Sequence, residues 1–257
     1  MMRQSILVSA LVVLFAVTFC EADLWDRGGG LIYDDVLDIT WLQNANYAAA
    51  ELSDARINDI ISAVGSVDGH MLIMSDFEYY GGHRTGEMSW WGAVAWADQL
   101  IYGGYDDWRL PGTDDSIINP TGSFGYQGPD QNGNYNYRDG FNMVNSEMGY
   151  LYYETLGNKG LYATDGTNPQ PGWGLQNTGP FMNLQANDYW SGSEFAHYTV
   201  DAWYMTFQNG FQNVSSKDGN RLFTWAVRDG DVEVIPAPSA VILGQHWRRL
   251  CYLATET

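Results

Sequence analysis

The hexapeptide Asp106-Asp107-Trp108-Arg109-Leu110-Pro111 places two carboxylates, an indole and a guanidinium on consecutive residues. Two chemistries fit it. The carboxylates can ligate a metal or a ligand's hydroxyls, or Arg109 can pair with a carboxylate while Trp108 and Leu110 enter the core. The Leu110-Pro111 step restricts the backbone to extended geometry and favours the structural turn. Further on, Asp130, Asn132, Asn134 and Asp139 offer hard oxygen donors in a pattern resembling the start of a calcium loop. The sixth and twelfth positions of an EF-hand would fall on Tyr135 and Phe141 instead of Gly and Glu, so only a looser calcium site is open. A solvated turn is the competing reading.

The strongest recognition set is Asn187, Asp188, Trp190 and Glu194, joined by Asn213 and Asp218. Sugar faces stack on aromatic rings, and carboxamides and carboxylates meet sugar hydroxyls. The alternative places Trp190 and Trp203 between strands in the core. Other chemistries find little support. His70, His83 and His197 are scattered without His-x-x-x-His spacing, which argues against catalytic zinc. Ser191 lacks the Gly-x-Ser-x-Gly context of a nucleophile elbow. The many carboxylates include glycosidase-like pairs by chance alone, so a secreted polysaccharide hydrolase is an alternative without a specific signal.

Composition narrows the field. The 257 residues are 45% hydrophobic and 15% aromatic, enough to bury a core, so disorder is excluded. The formal net charge of -19 repels phosphate backbones, which excludes nucleic acid as a partner. The only cysteines, Cys20 and Cys251, lie in the terminal segments, so disulfides, thiolate zinc and cysteine nucleophiles are not expected in the body.

Short elements must position these residues. Leu31–Tyr33 and Ile39–Leu42 read as strands around the acidic turn Asp34-Asp35, with Gly28-Gly29-Gly30 as a flexible lead-in. Leu52–Val64 has helical spacing. Ser89–Ile101 is the clearest helix, with Ser89 as N-cap, Gly103-Gly104 as stop, and Trp90, Trp91 and Trp96 as core anchors in preference to ligand contacts. Ser146–Leu156 also looks helical. Tyr189–Ser193, Ala202–Phe207 and Phe223–Arg228 read as strands, and Asn209-Gly210 marks a hairpin turn. Residues 111–145, 157–188 and 208–221 are left as loops, the usual place for recognition.

The two ends read as addresses. Residues 1–22 combine Arg3, an apolar run from Ile6 to Phe19 and small residues, Cys20 and Ala22, at the -3 and -1 positions of a cleavage after Ala22, the pattern of a secretory signal peptide. Acylation at Cys20 is the rival, disfavoured by the bulky Phe19. Residues 235–257 resemble a degenerate PEP-CTERM sorting tail: Pro236-Ala237-Pro238, a short apolar run, then Arg248-Arg249. Ala240–Leu243 is far shorter than the ~20 residues of a membrane span, so no stable span is expected in the mature chain.

Several segments in order resemble the C-terminal domain family of the collagen-like adhesin Lcl. They are Gly30–Asp35 with Thr40-Trp41-Leu42, Met88-Ser89-Trp90, Gly104–Pro111, Glu147–Leu151, Tyr189–Glu194, Ala202-Trp203-Tyr204 and Trp225–Arg228. The resemblance implies an α+β fold related to C-type lectins, with a small twisted, mostly antiparallel sheet, two or three helices and long loops. It also implies a bacterial surface or secreted protein. The adhesin branch binds sulfated polysaccharide, a specificity that an acidic body disfavours. The expected organisation is a signal peptide at 1–22, one domain at 23–234 and the tail at 235–257. The expected function is a non-enzymatic module binding extracellular glycan or exopolysaccharide, with calcium as a conceivable bridge. A structural matrix protein without a small ligand is the remaining alternative.

Overall fold

The computed structural model describes residues 24–79, 81–114 and 139–232. The terminal addresses, and Asp130, Asn132 and Asn134 of the calcium reading, lie outside the described residues. The fold is mixed α+β with two main sheets.

In chain order the elements are β1 (Leu24–Gly28), β2 (Leu31–Asp34), β3 (Ile39–Leu42), α1 (Tyr47–Glu51), α2 (Asp54–Val64), β4 (Ser66–Val67) and β5 (His70–Met71). A 3-10 turn at Met74–Phe77 leads to β6 (Glu87–Met88) and α3 (Trp90–Asp98). After these come α4 (Glu147–Tyr150), β7 (Asp188–Glu194), β8 (Asp201–Thr206), β9 (Phe211–Ser216), β10 (Leu222–Phe223) and β11 (Val227–Asp229).

The first sheet has the order β1-β2-β3-β11 and is antiparallel throughout. Gly28, Gly29 and Gly30 adopt φ of 78°, 62° and 83°, which only glycine takes without steric cost. They form the tight β1–β2 turn, correcting the expected flexible lead-in. The β2–β3 turn is tied by the Asp34 carboxylate, whose Oδ1 accepts from the Val36 and Leu37 N–H groups at 3.1 and 3.0 Å.

The second sheet has the order β6-β10-β7-β8-β9, with only β10 and β7 parallel. Asn209-Gly210 closes the β8–β9 hairpin as its sequence predicts, with Gly210 at φ 80°. Residues 211–216 are therefore strand and not part of a 208–221 loop. The predicted Phe223–Arg228 strand is split between the sheets. Thr224–Ala226 leave the ladder so that Trp225 can wedge between them, its Nε1–H donating to the Leu42 carbonyl at 2.7 Å. Its ring lies 4.6 Å from that of Trp41 and 4.8 Å from that of Phe181. An indole buries roughly 150–250 Å². At about 25 cal/mol per Å², burying this ring contributes roughly 4–6 kcal/mol.

Helix α3 starts where its cap predicts. Ser89 Oγ accepts from the Gly92 N–H at 3.1 Å and donates to buried Asp76 at 2.9 Å. It ends at Asp98, earlier than expected, and Ile101 lies outside it at 76% exposure. Trp90 and Trp96 are buried as anchors. Trp90 Nε1–H donates to the Ser191 carbonyl at 2.8 Å, which fastens α3 to β7. The expected packing of this helix on the sheet holding Ala202–Phe207 is therefore observed, with β11 excepted. The Ser146–Leu156 helix is present as α4 continued by a π-helical turn at Leu151–Thr155.

Candidate functional site

Beyond the start of α3, a cleft of about 410 Å³ opens between Asp68, Trp91, Glu194, Thr199, Val200, Ser216, Lys217 and Asp218. Five pieces of chain build it, among them the β7–β8 connection with Thr199 and Val200. The β4–β5 turn supplies Asp68, the second residue of α3 supplies Trp91, and the end of β7 supplies Glu194. The end of β9 and the turn after it supply Ser216, Lys217 and Asp218.

The indole is held in place by a stacked neighbour. The His70 ring stacks on Trp91 with centroids 3.8 Å apart and planes inclined by 10°. His70 Nε2 lies 3.0 Å from an oxygen of Asp76, which also accepts from the Ile73 N–H at 2.9 Å and from Ser89. Asp76 is itself 1% exposed, so the wall is anchored to a buried, fully used carboxylate.

Lys217 is the unexpected member. Its side chain is only 3% exposed, with Nζ 4.0 Å from the centre of the Trp90 ring and 3.6 Å from Asp68. It is also paired closely with Glu194. A lysine is buried only when its charge is matched, and here two carboxylates and a ring face match it. Burial pushes the Asp201 carboxyl up, against the downward pull of the same ammonium.

The residues singled out from sequence divide between two places. Glu194 and Asp218 line this cleft. Asn187, Asp188 and Asn213 lie near the other end of β7, where Asp188 accepts from Thr206 Oγ1 at 2.6 Å. Burial pushes the Asp188 carboxyl up. Tyr204, whose hydroxyl is pushed up to about 12 mainly by burial and then by the charge of Asp188, sits beside Asn213 across the β8–β9 register. Trp190 leaves the recognition set. It is 0% exposed and donates from Nε1 to the Met88 carbonyl at 2.9 Å, so no ring face reaches a ligand at the surface. Trp203, at 1% exposure, is likewise a core residue.

The Asp106–Pro111 segment is the structural turn. Trp108 and Leu110 are buried, and Arg109 forms a two-pronged pair with Glu147 at 2.8 and 2.7 Å. Asp107 pairs with Arg228, which holds its carboxyl below the usual range. Ser191 is fully buried, its hydroxyl donating to the Pro111 carbonyl at 2.9 Å. Of the calcium set, Asp139 is described, and burial pushes its carboxyl up. Among the described residues, no group of three or more His, Cys, Asp or Glu side chains has metal-holding geometry. Nor is any helix among them long and apolar enough to cross a membrane.

Asp68 and Lys217 are not legible in the sequence, and Trp91 reads there as a core anchor in preference to a ligand contact. The Trp91 position follows the N-cap by two residues, a spacing that permits a rim location. Nothing near Lys217 announces its burial.

The profile of the Lcl C-terminal domain family matches residues 30–228, most of the chain. No curated protein and no solved structure matches it. The chain belongs to the Lcl C-terminal domain family.

Proposed function

We propose that this member of the Lcl C-terminal domain family is an exported, non-enzymatic binding module that holds extracellular glycan or matrix material. The cleft between Trp91 and Asp218 is its binding site. The observation that carries this reading is the stacked indole: Trp91 lines a concave surface and its ring is held parallel to that of His70. Carboxylates at Glu194 and Asp218 and hydroxyls at Thr199 and Ser216 share the same lining. An aromatic plane with convergent hydrogen-bonding groups is what a pyranose ring requires. The family match supports a surface-exposed, adhesin-like role.

The same reading takes the domain to be residues 23–234, between a signal peptide at 1–22 and a degenerate PEP-CTERM-like tail at 235–257. It takes the fold to be a C-type-lectin-like variant, in which two small sheets and short helices hold irregular recognition loops. Asn187, Asp188 and Asn213 form a secondary polar surface near the far end of β7.

A glycan array probed with the purified protein tests the reading. Trp91→Ala should abolish the signals while shifting the unfolding midpoint little, because Trp91 is only partly buried. Undiminished binding by that variant would place recognition elsewhere. Product release from purified exopolysaccharide would instead support a hydrolase. Running the array with and without EDTA tests calcium use through Asp130, Asn132, Asn134 and Asp139, with loss of signal in EDTA as the supporting result.

A further inference from the structure

We propose that the cleft selects glycans carrying protonated amines, an amino-sugar polymer lacking its acetyl groups, over neutral or sulfated chains. This rests on the reading of the cleft as a glycan site.

The charge of the lining decides it. Three carboxylates, Asp68, Glu194 and Asp218, face one ammonium, Lys217. The ammonium is not available to a ligand. It is 3% exposed, held over the Trp90 ring at 4.0 Å and committed to Glu194 and Asp68. Glu194 and Asp68 pair with it yet still reach water, their side chains 38% and 53% exposed, and the exposed Asp218 shares the same lining. An incoming group therefore meets carboxylate oxygens with their cation turned inward. Arg221 approaches this region, donating to the Asp218 carbonyl at 2.7 Å, but it does not line the cleft. Asp201 adds a further carboxylate close to Lys217.

Sulfate groups would be repelled from such a lining, and the net charge of -19 adds a field of the same sign. A protonated amine gains a charge-assisted hydrogen bond. The lining also favours a sugar over a basic peptide, since Trp91 supplies a flat apolar plane and Thr199 and Ser216 supply hydroxyl partners.

Calorimetry on the full chain separates the possibilities, using oligomers of glucosamine and of N-acetylglucosamine of equal length, a sulfated oligosaccharide and oligolysine. At low salt the glucosamine oligomer should bind about tenfold or more tightly than its acetylated counterpart, with the gap closing as salt is added. Asp218→Asn, an exposed change that leaves the fold intact, should narrow the gap several-fold. Asp59→Asn removes the same charge from an exposed position on α2 that does not line the cleft, and should leave the gap unchanged. Equal binding of the two oligomers would overturn the selectivity and leave the glycan reading standing. Binding to none of the sugars would overturn both. Oligolysine binding as tightly as the glucosamine oligomer, or equal losses in the two variants, would reduce the effect to bulk charge and overturn the proposal.

Discussion

Lys217 and Trp90 hold each other twice. The Lys217 ammonium lies 4.0 Å from the centre of the Trp90 ring, while the Trp90 N–H donates to the Lys217 carbonyl at 3.2 Å. The second contact satisfies a free N–H in the first turn of α3, a group that no intrahelical acceptor can reach. The pair thus fastens the turn after β9 to the start of α3, the two pieces of chain that bear Asp218 and Trp91.

Lys217→Ala is expected to lower the unfolding free energy by about 1–3 kcal/mol. Up to about 2 kcal/mol comes from the desolvated cation–ring contact. The unpaired Glu194 and Asp68 add less than a fully buried pair would, because both reach water. Urea unfolding of the variant and parent measures this, and a change within experimental error would mean that the lysine is held without contributing.

Glu147 accepts from Arg109 at 2.8 and 2.7 Å and from the Gly112 N–H at 2.6 Å. Glu147→Gln keeps the shape and removes the charge. The expected loss is about 1–3 kcal/mol, in the range for hydrogen bonds to ionised groups. Rescue by Glu147→Asp is not expected, since the shorter side chain cannot span both partners. Equilibrium denaturation of the two variants checks the pair.

Asp34 is 0% exposed, and burial pushes its carboxyl above the ordinary range despite the two backbone N–H groups it accepts from. A carboxyl with a raised pKa in the folded state binds more protons there than in the unfolded state. Its contribution to stability is therefore lost as pH rises from the ordinary carboxylate range through the raised value. Asp34→Asn retains the Oδ1 acceptor and removes the titration. Plotted against pH across that window, the stability of Asp34→Asn should fall less steeply than that of the parent; identical slopes would rule out Asp34 as the source.

Gly210 carries φ 80°, and a Cβ there would lie 2.3 Å from the Tyr153 hydroxyl, which donates to the Gly210 carbonyl at 2.5 Å. Gly210→Ala is expected to cost more than the roughly 1 kcal/mol typical of the backbone conformation alone. Pairing it with Tyr153→Phe should recover part of the loss, because the clashing atom is gone. Thermal unfolding of the single and double variants gives the coupling.

Local rules made much of this protein legible. Ser89 and Ser146 start helices because a side-chain oxygen there accepts from an N–H three residues on, a bond that needs no distant partner. Asn209-Gly210 turns the chain for an equally local reason. The Arg109 turn was readable because a proline follows it. Composition alone set the acidic charge that governs the kinds of ligand the surface can accept.

Long-range packing decided the rest. Alternation along β7 tells that Tyr189 and Trp190 point to opposite faces, but not that both faces are covered, and so Trp190 reads as a sugar platform until Met88 is seen against it. The apolar run from Phe223 to Arg228 looks like one strand because hydrophobicity does not reveal which sheet receives each half. The burial of Lys217 needs Trp90, Glu194 and Asp68, residues between 23 and 149 positions away, to meet around it. No local pattern encodes that meeting. It arises only when the turn after β9 closes over α3, which is why the cleft and its inward-turned cation belong to the tertiary structure.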